Sequence, residues 1–399
     1  MKRFREFVHR ENQRILKDRV ALIYLLIFPM LGLLAYGSLF VKRVGRVYPV
    51  AIVDRDADYG SRLVRHYLES CPELEVVSIV RTDEEAREEM ARGRIAAAIV
   101  LPASLESDLK SRLPVQIDVL VDARNIVNAN FIMTAMQKAL GYGQAGIKFL
   151  VYKKLVPAAQ ARQMILPVRF RSHALGNPSV DYSFFIFTGI LIMILQQCVL
   201  VGSAVGITGE TERGTLADTV QRSGGALKYL FFRQLMYTVY QVPILLVILG
   251  GYCWIFRMPS ANLLPLVLFL IMFVQAVICF SQALGMLFIT RQALLQAAVF
   301  FSMPTFFMGG YTWPFEDMSA PVRVMAAALP TTPILNAWTT LTGIPGSFPY
   351  LGGAYLHQAL LVVLYFALGF IGLRLRTRSG RTPAAAAPGS GLKRTNSGL

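Results

Sequence analysis

Phe184–Ile207 reads FFIFTGILIMILQQCVLVGSAVGI, 24 residues without an aspartate, glutamate, lysine or arginine. A helix needs about 20 apolar residues to cross the hydrocarbon core of a bilayer, so this stretch predicts a membrane-spanning helix. Five more stretches meet the same standard: Val20–Val41, Leu235–Phe256, Leu263–Ile289, Ala293–Tyr311 and Ala354–Leu373. Pro29 and Pro304 lie inside two of them, and neighbouring helices can re-satisfy the carbonyl that a proline frees. Gly309 and Gly310 weaken the end of Ala293–Tyr311.

The composition agrees with this reading. Of 399 residues, 54% are hydrophobic and 16% charged, with a mean hydropathy of +0.49. Soluble domains carry about 25% charged residues. The formal net charge of +16 invites a nucleic-acid reading, but no basic face with interleaved aromatics accompanies it. The excess sits beside the spans. With the N-terminus inside the cell, 18 of the 40 lysines and arginines fall in inner pieces, and the short outer loops hold only Arg257 and Arg323. That asymmetry sets the direction of insertion and places both termini in the cytoplasm.

Between the spans, residues 1–19 place Phe4, Phe7, Val8, Ile15 and Leu16 at helical spacing among charges. They predict a helix on the inner membrane surface. Residues 42–180 read as a soluble outer domain. Strands are expected at 49–53, 75–80, 95–101 and 115–121, with helices at 61–68, 83–91 and 104–109. Such alternation predicts a small α/β layer structure. A long helix over 126–155, interrupted at Gly141, Gly143 and Gly146, follows. Residues 208–232 form the main inner loop, with a short helix through Leu216 and Val220 that breaks at Ser223-Gly224-Gly225. Residues 312–353 form a last outer loop, too apolar for an ordinary exposed one, with a short helix at 322–329. Residues 377–399 are rich in Ala, Pro, Gly and Ser and are expected to be disordered. The fold class is thus an α-helical integral membrane protein of six transmembrane helices, with an α/β extracytoplasmic domain inserted between helices 1 and 2.

Several chemistries are missing. No Gly-x-x-x-x-Gly-Lys-Ser/Thr stretch occurs, so no phosphate-cradling loop belongs to this chain. His9, His66, His173 and His357 are scattered. Cys71, Cys198, Cys253 and Cys279 show no metal-ligand or disulfide spacing. The six stretches lack ionisable residues of the kind that ion-coupled carriers keep in the membrane. Their polar residues are mostly glutamines: Gln196, Gln197, Gln275, Gln282 and Gln296. Interhelical hydrogen bonds explain such amides. The functional alternative is a substrate path through Gln196, Gln197, Gln275, Phe300 and Phe306.

The order of parts resembles the permeases of the ABC-2 type transporter family. Val50-Ala-Ile-Val-Asp-Arg-Asp56 with Ser61-Arg62 looks like the start of that family's outer domain, and Gly93-Arg94 through Pro102 like its third strand. Glu212-Arg-Gly-Thr-Leu216 looks like its inner-loop motif. Gly310-Tyr-Thr-Trp-Pro314 with Met318, Pro321, Pro330 and Gly343 looks like its last outer loop. The family usually shows a proline after the inner-loop helix, where this chain has Ser223-Gly224-Gly225.

The resemblance implies a transport subunit of the inner (plasma) membrane that binds no cofactor. ATP would be hydrolysed by a separate cytoplasmic ATP-binding subunit. A second permease, in a homodimer or heterodimer, and a periplasmic adaptor are the other implied partners. It assigns contact with the ATPase subunit to Glu210, Glu212, Arg213, Gly214, Thr215 and Leu216, with the helix at 4–17 as a second contact. The competing reading is a membrane-anchored sensor or scaffold, which the lack of a cytoplasmic output domain disfavours. A membrane enzyme is disfavoured by the lack of an acid, base or metal cluster.

Overall fold

The computed structural model describes residues 2–41, 47–55, 59–111, 115–124, 126–152, 156–157, 160, 182–256, 262–344 and 346–378. The chain divides into two compact units, Arg43–Ser172 and the remainder. The tail expected to be disordered lies outside the described residues beyond Arg378, as does the stretch 161–181.

Helix α1, Lys2–Lys17, buries Phe7, Glu11 and Ile15 at four-residue spacing. That stripe is one face of a helix, and it includes a carboxylate. Asp18 ends α1 in an extended conformation, and its side chain accepts a hydrogen bond from the Ala21 backbone N–H at 3.4 Å, capping the next helix. The next helix runs through α2, Arg19–Leu22, a π-helical turn, Ile23–Ile27, and α3, Phe28–Val41. Pro29 has no N–H for the carbonyl four residues back, and its ring crowds that carbonyl. The wider π turn just before it is a common way to absorb such a mismatch.

The second unit begins with β1, Tyr48–Val53, followed by α4, Tyr59–Glu69, and β2, Leu74–Val80. Then come α5, Asp83–Ala91, β3, Ala97–Val100, α6, Leu105–Ser111, β4, Asp118–Val121, and α7, Ile126–Tyr152. The sheet order is β2-β1-β3-β4, with β1 parallel to β2 and β3 and with β4 antiparallel to β3. Val50, Ile52, Ala97 and Ile99 face Val64, Leu68, Ile132 and Met136. Ala51, Val53 and Ala98 face the other way, toward Ala86 and Ile95. Burial on both faces explains why β1 reads as a continuous apolar run. The glycines of α7 do not interrupt it. A Cβ at Gly146 would lie 1.8 Å from the Tyr67 hydroxyl, and one at Gly143 would lie 3.3 Å from the Tyr67 ring. These glycines give Tyr67 its bed against α7.

The first unit resumes with α8, Tyr182–Glu212, α9, Leu216–Ser223, α10, Ala226–Phe256, α11, Leu263–Gly285, and α12, Arg291–Met308. It ends with α13, Ala320–Ala327, α14, Thr331–Gly343, and α15, Gly352–Arg378. Among the described residues, five helices are long and apolar enough to cross a membrane: Arg19–Ser38, Phe185–Glu212, Ala226–Gly251, Leu263–Gly285 and Phe348–Arg378. Helix α12, where the fifth of the six expected spans lies, is not among them. Its 18 residues measure about 27 Å and include Arg291, Gln292, Gln296 and Pro304.

Helix α8 is the central one, lining the core with Phe187, Leu191, Leu195, Val199 and Ile207. Helices α8 and α10 extend past the expected spans, to Glu212 and back to Ala226. A hydropathy window stops at Glu210, Lys228 or Arg233, whereas the backbone continues as helix wherever the charge finds a partner. The apolar loop 312–353 folds inward: in α14, Ile334, Leu335, Ala337, Trp338 and Leu341 are fully buried. Asn262 ties its end, donating to the Leu341 and Ile344 carbonyls at 2.8 and 2.6 Å and accepting from the Gly346 N–H at 3.2 Å.

Candidate functional site

The turn after α8 is short. Gly214 takes a φ of +71°, and the Gly214 and Thr215 N–H groups donate to the Thr211 and Glu210 carbonyls at 3.0 and 2.9 Å. Helix α9 is two turns of amphipathic helix. Leu216, Thr219, Val220 and Ser223 are buried, while Ala217, Asp218, Gln221 and Arg222 are exposed. Gly224 and Gly225, at φ +90° and +108°, end it. Their N–H groups return to the Gln221 and Val220 carbonyls, each at 3.0 Å. Left-handed backbone of this kind favours glycine. The glycine pair therefore stops the helix where a proline is usual in the resembled family. Of the six residues that the sequence assigns to a partner contact, Glu212, Arg213 and Thr215 are exposed and Gly214 is half-buried. Glu210 and Leu216 are buried, and the Tyr229 hydroxyl donates to Glu210 at 2.6 Å.

Behind the turn lies a buried charge cluster. Glu11 and Arg233 are both fully buried, and Arg233 Nη1 donates to Glu11 Oε1 at 2.7 Å. Arg233 Nη2 reaches the Ser203 carbonyl at 2.9 Å and the Tyr237 hydroxyl at 3.1 Å. The Tyr237 hydroxyl donates to Glu11 Oε1 at 3.2 Å. Arg14 pairs with Glu11 and the Gly206 carbonyl, and it donates to the Tyr237 hydroxyl at 2.9 Å. Phe7 meets Tyr229 edge-on at 5.9 Å, and Phe4 meets Phe232 at 5.0 Å. Helix α1 is thereby locked onto α8 and α10.

Burial works against the Glu11 charge, but the Arg14 and Arg233 guanidiniums outweigh it and hold the carboxyl below the usual carboxylate range. Burial likewise opposes the charge on Arg14, and the Glu11 carboxylate beside it more than compensates, raising its pKa. A Cβ at Gly206 would lie 2.2 Å from Arg14 Nη2 and 2.5 Å from Arg233 Nη2. This glycine admits guanidiniums, whereas Gly202, four residues earlier, admits the Leu25 side chain. The sequence does carry a signal for the cluster: Tyr229, Arg233 and Tyr237 share one helical face, as do Phe7, Glu11 and Ile15.

A third group completes the site. Arg291, at the start of α12, pairs with Asp18 at 2.8 Å and stands 3.9 Å from Glu212. Its guanidinium lies over Gly209, where a Cβ would be 2.2 Å from Nη2.

A profile described as "ABC-2 family transporter protein" matches residues 19–373. The chain belongs to the ABC-2 transporter family. It is similar to the "Probable multidrug ABC transporter permease YbhR" of Escherichia coli K12, at 23% identity over 275 residues, which covers 67% of this chain and 70% of that protein. The Escherichia coli O157:H7 protein of the same description matches to the same extent. This ABC-2 protein is therefore a multipass membrane protein and a transmembrane subunit of an ABC transporter.

In the ABC-2 permease the five expected path residues stand on three helices, α8, α11 and α12. Gln275 on α11 donates to the Thr238 hydroxyl at 2.5 Å and accepts at its backbone carbonyl from Gln234 at 2.9 Å, both on α10. Gln197 on α8 donates to the Ala298 carbonyl of α12 at 2.8 Å. Gln196 is buried and Phe300 is 75% exposed. Phe306 is half-buried beside Gly189. Among the described residues, no group of three metal-binding side chains comes together.

Proposed function

We propose that this permease subunit exports a hydrophobic or amphipathic substrate, driven by ATP hydrolysis on a separate cytoplasmic subunit. In this reading the chain has six spans, with α12 within the fifth. Both termini lie in the cytoplasm, and the sheet unit of residues 42–180 stands outside the inner membrane between spans one and two. Two such permeases pair, either as copies or as relatives, and the outer domain hands cargo to a periplasmic adaptor. Gln196, Gln197, Gln275, Phe300 and Phe306 remain the proposed lining of the substrate route. The chain itself binds no cofactor and hydrolyses nothing.

One observation carries the coupling role: α9 turns Leu216 and Val220 into the core and presents Asp218 and Arg222 outward, beside exposed Glu212, Arg213 and Thr215. A push on this outward face reaches α8 and α10 directly, because the buried cluster ties α1, α8 and α10 together. The face carries both signs of charge, so it suits a protein surface better than an anionic membrane. Glu210 and Leu216 act from behind it as supports.

Reversing the charges, with Glu212→Lys and Arg213→Glu in one chain, tests the assignment. Membrane insertion should be intact, and stimulation of the ATPase subunit should fall toward the level of that subunit alone. A double variant that stimulates its partner normally would refute the contact.

A further inference from the structure

Arg291 is placed where helix formation alone would not put it. It is the first residue of α12, and a cation there opposes the helix dipole. The cap of that helix is made by Thr290, whose hydroxyl accepts from the Ala293 N–H at 3.3 Å. The guanidinium turns instead toward two other helix junctions. Asp18 lies between α1 and α2, and Glu212 ends α8 and opens the exposed turn. Asp18 holds Nη1 tightly at 2.8 Å, and Glu212 stands open at 3.9 Å from Nε on the other edge of the guanidinium. Nη2 is buried and makes no hydrogen bond among the described residues. Gly209 provides the space that lets the group lie between the two carboxylates.

We propose that Arg291 is a positioning residue that hands movement of the turn after α8 to α12 by exchanging Asp18 for Glu212. The inference rests on the reading of that turn as the contact for the ATPase subunit. In the resting arrangement the guanidinium belongs to Asp18. When the partner moves the turn, a shift of about 1 Å brings Glu212 within ordinary ion-pair distance, and the first turn of α12 follows. Gln197, which holds Ala298 further along the same helix, gives α12 a second fixed point about which to tilt.

A purely structural ion pair and an exchanging one differ in a measurable way. If Arg291 only stabilises the fold, removing Asp18 and removing Arg291 move hydrolysis in the same direction. If it exchanges, Asp18→Asn frees the guanidinium for Glu212 and favours the engaged arrangement, whereas Arg291→Gln removes both options. Asparagine keeps the cap on Ala21, and Gly209→Ala displaces the guanidinium without changing any charge or any partner-facing side chain.

The experiment measures ATP hydrolysis by the ATPase subunit that co-purifies with the permease, alone and in complex. It uses wild type, Asp18→Asn, Arg291→Gln and Gly209→Ala, with melting temperature as the fold control. Asp18→Asn should raise hydrolysis in the complex by roughly threefold, the scale of one partly exposed ion pair. Arg291→Gln and Gly209→Ala should each lower it several-fold with the complex still assembled. Parallel changes in Asp18→Asn and Arg291→Gln, or wild-type hydrolysis in Gly209→Ala, would overturn the exchange while leaving the coupling turn in place. If the wild-type permease leaves the subunit's hydrolysis unchanged, the coupling reading falls and the exchange falls with it. Should Arg291→Gln fail to assemble, Gly209→Ala decides, because only the far end of a flexible side chain has to shift.

Discussion

Glu11 shares a buried site with Arg233, and Arg14 and Tyr237 complete its surroundings. Removing one member of a buried pair leaves the other uncompensated, which costs about 3–5 kcal/mol. Glu11→Gln should therefore lower the melting temperature of the detergent-solubilised permease sharply, whereas the same change at exposed Glu6 should be nearly neutral. The pH dependence follows from the direction of the Glu11 shift. A carboxyl held below its ordinary range in the folded chain contributes fully above that range, and the contribution is lost as pH falls through the depressed value. The Glu11 contribution should be complete above roughly pH 5, and below roughly pH 4 stability should fall more steeply in wild type than in Glu11→Gln. These residues also mark where the sequence stopped being legible. Glu210 and Arg233 lie just beyond apolar windows, where a hydropathy scale reads loop, and Glu11 lies in a helix expected at the membrane surface. Whether a charge near a span end is solvated or buried depends on what faces it, and that information is non-local.

At the scale of elements, the outlines were readable and the joints were not. Apolar runs in β1 and β3, and the charged first turn of α5, whose Thr82 cap accepts from the Glu85 N–H at 3.2 Å, follow local rules that need no partner. The glycines of α7 read as breaks because a local rule counts only their low helix propensity. The structure uses Gly143 and Gly146 to seat Tyr67, a contact formed across the sequence. Gly146→Ala should cost about 1–3 kcal/mol, lowering the stability of the sheet unit in the full chain as read by hydrogen exchange. Tyr67→Ala in the same chain should cancel most of the overpacking. Helix α9 shows the opposite case. Its length was readable from Leu216, Val220 and the following glycines, because Gly224 and Gly225 act through their own backbone. Replacing Gly224 by alanine places a side chain at φ +90°, and α9 should lose protection from exchange with little change in α8.

For the whole molecule, the account links apolar helices, a mixed α/β unit and an exposed charged turn into one transport subunit. Topology is the first consequence. A cysteine at Thr215 should react with a membrane-impermeant thiol reagent only after the inner side is opened. One at Glu84, exposed on α5, should react from outside in intact cells with the outer barrier permeabilised. The class of protein was legible because apolar length and charge asymmetry are global properties of the sequence. The turn after α8 and the helix before the first span were both legible, and the burial of Glu11 that clamps that helix onto α10 was not. The most direct test places a photoactivatable amino acid at Asp218, on the exposed face of α9, and irradiates membranes that contain the assembled transporter. The account predicts an adduct with the ATP-binding subunit from this position and none from Phe348 at the start of the last span. Labelling of lipid alone at Asp218, in a preparation where the ATP-binding subunit is bound, would contradict it.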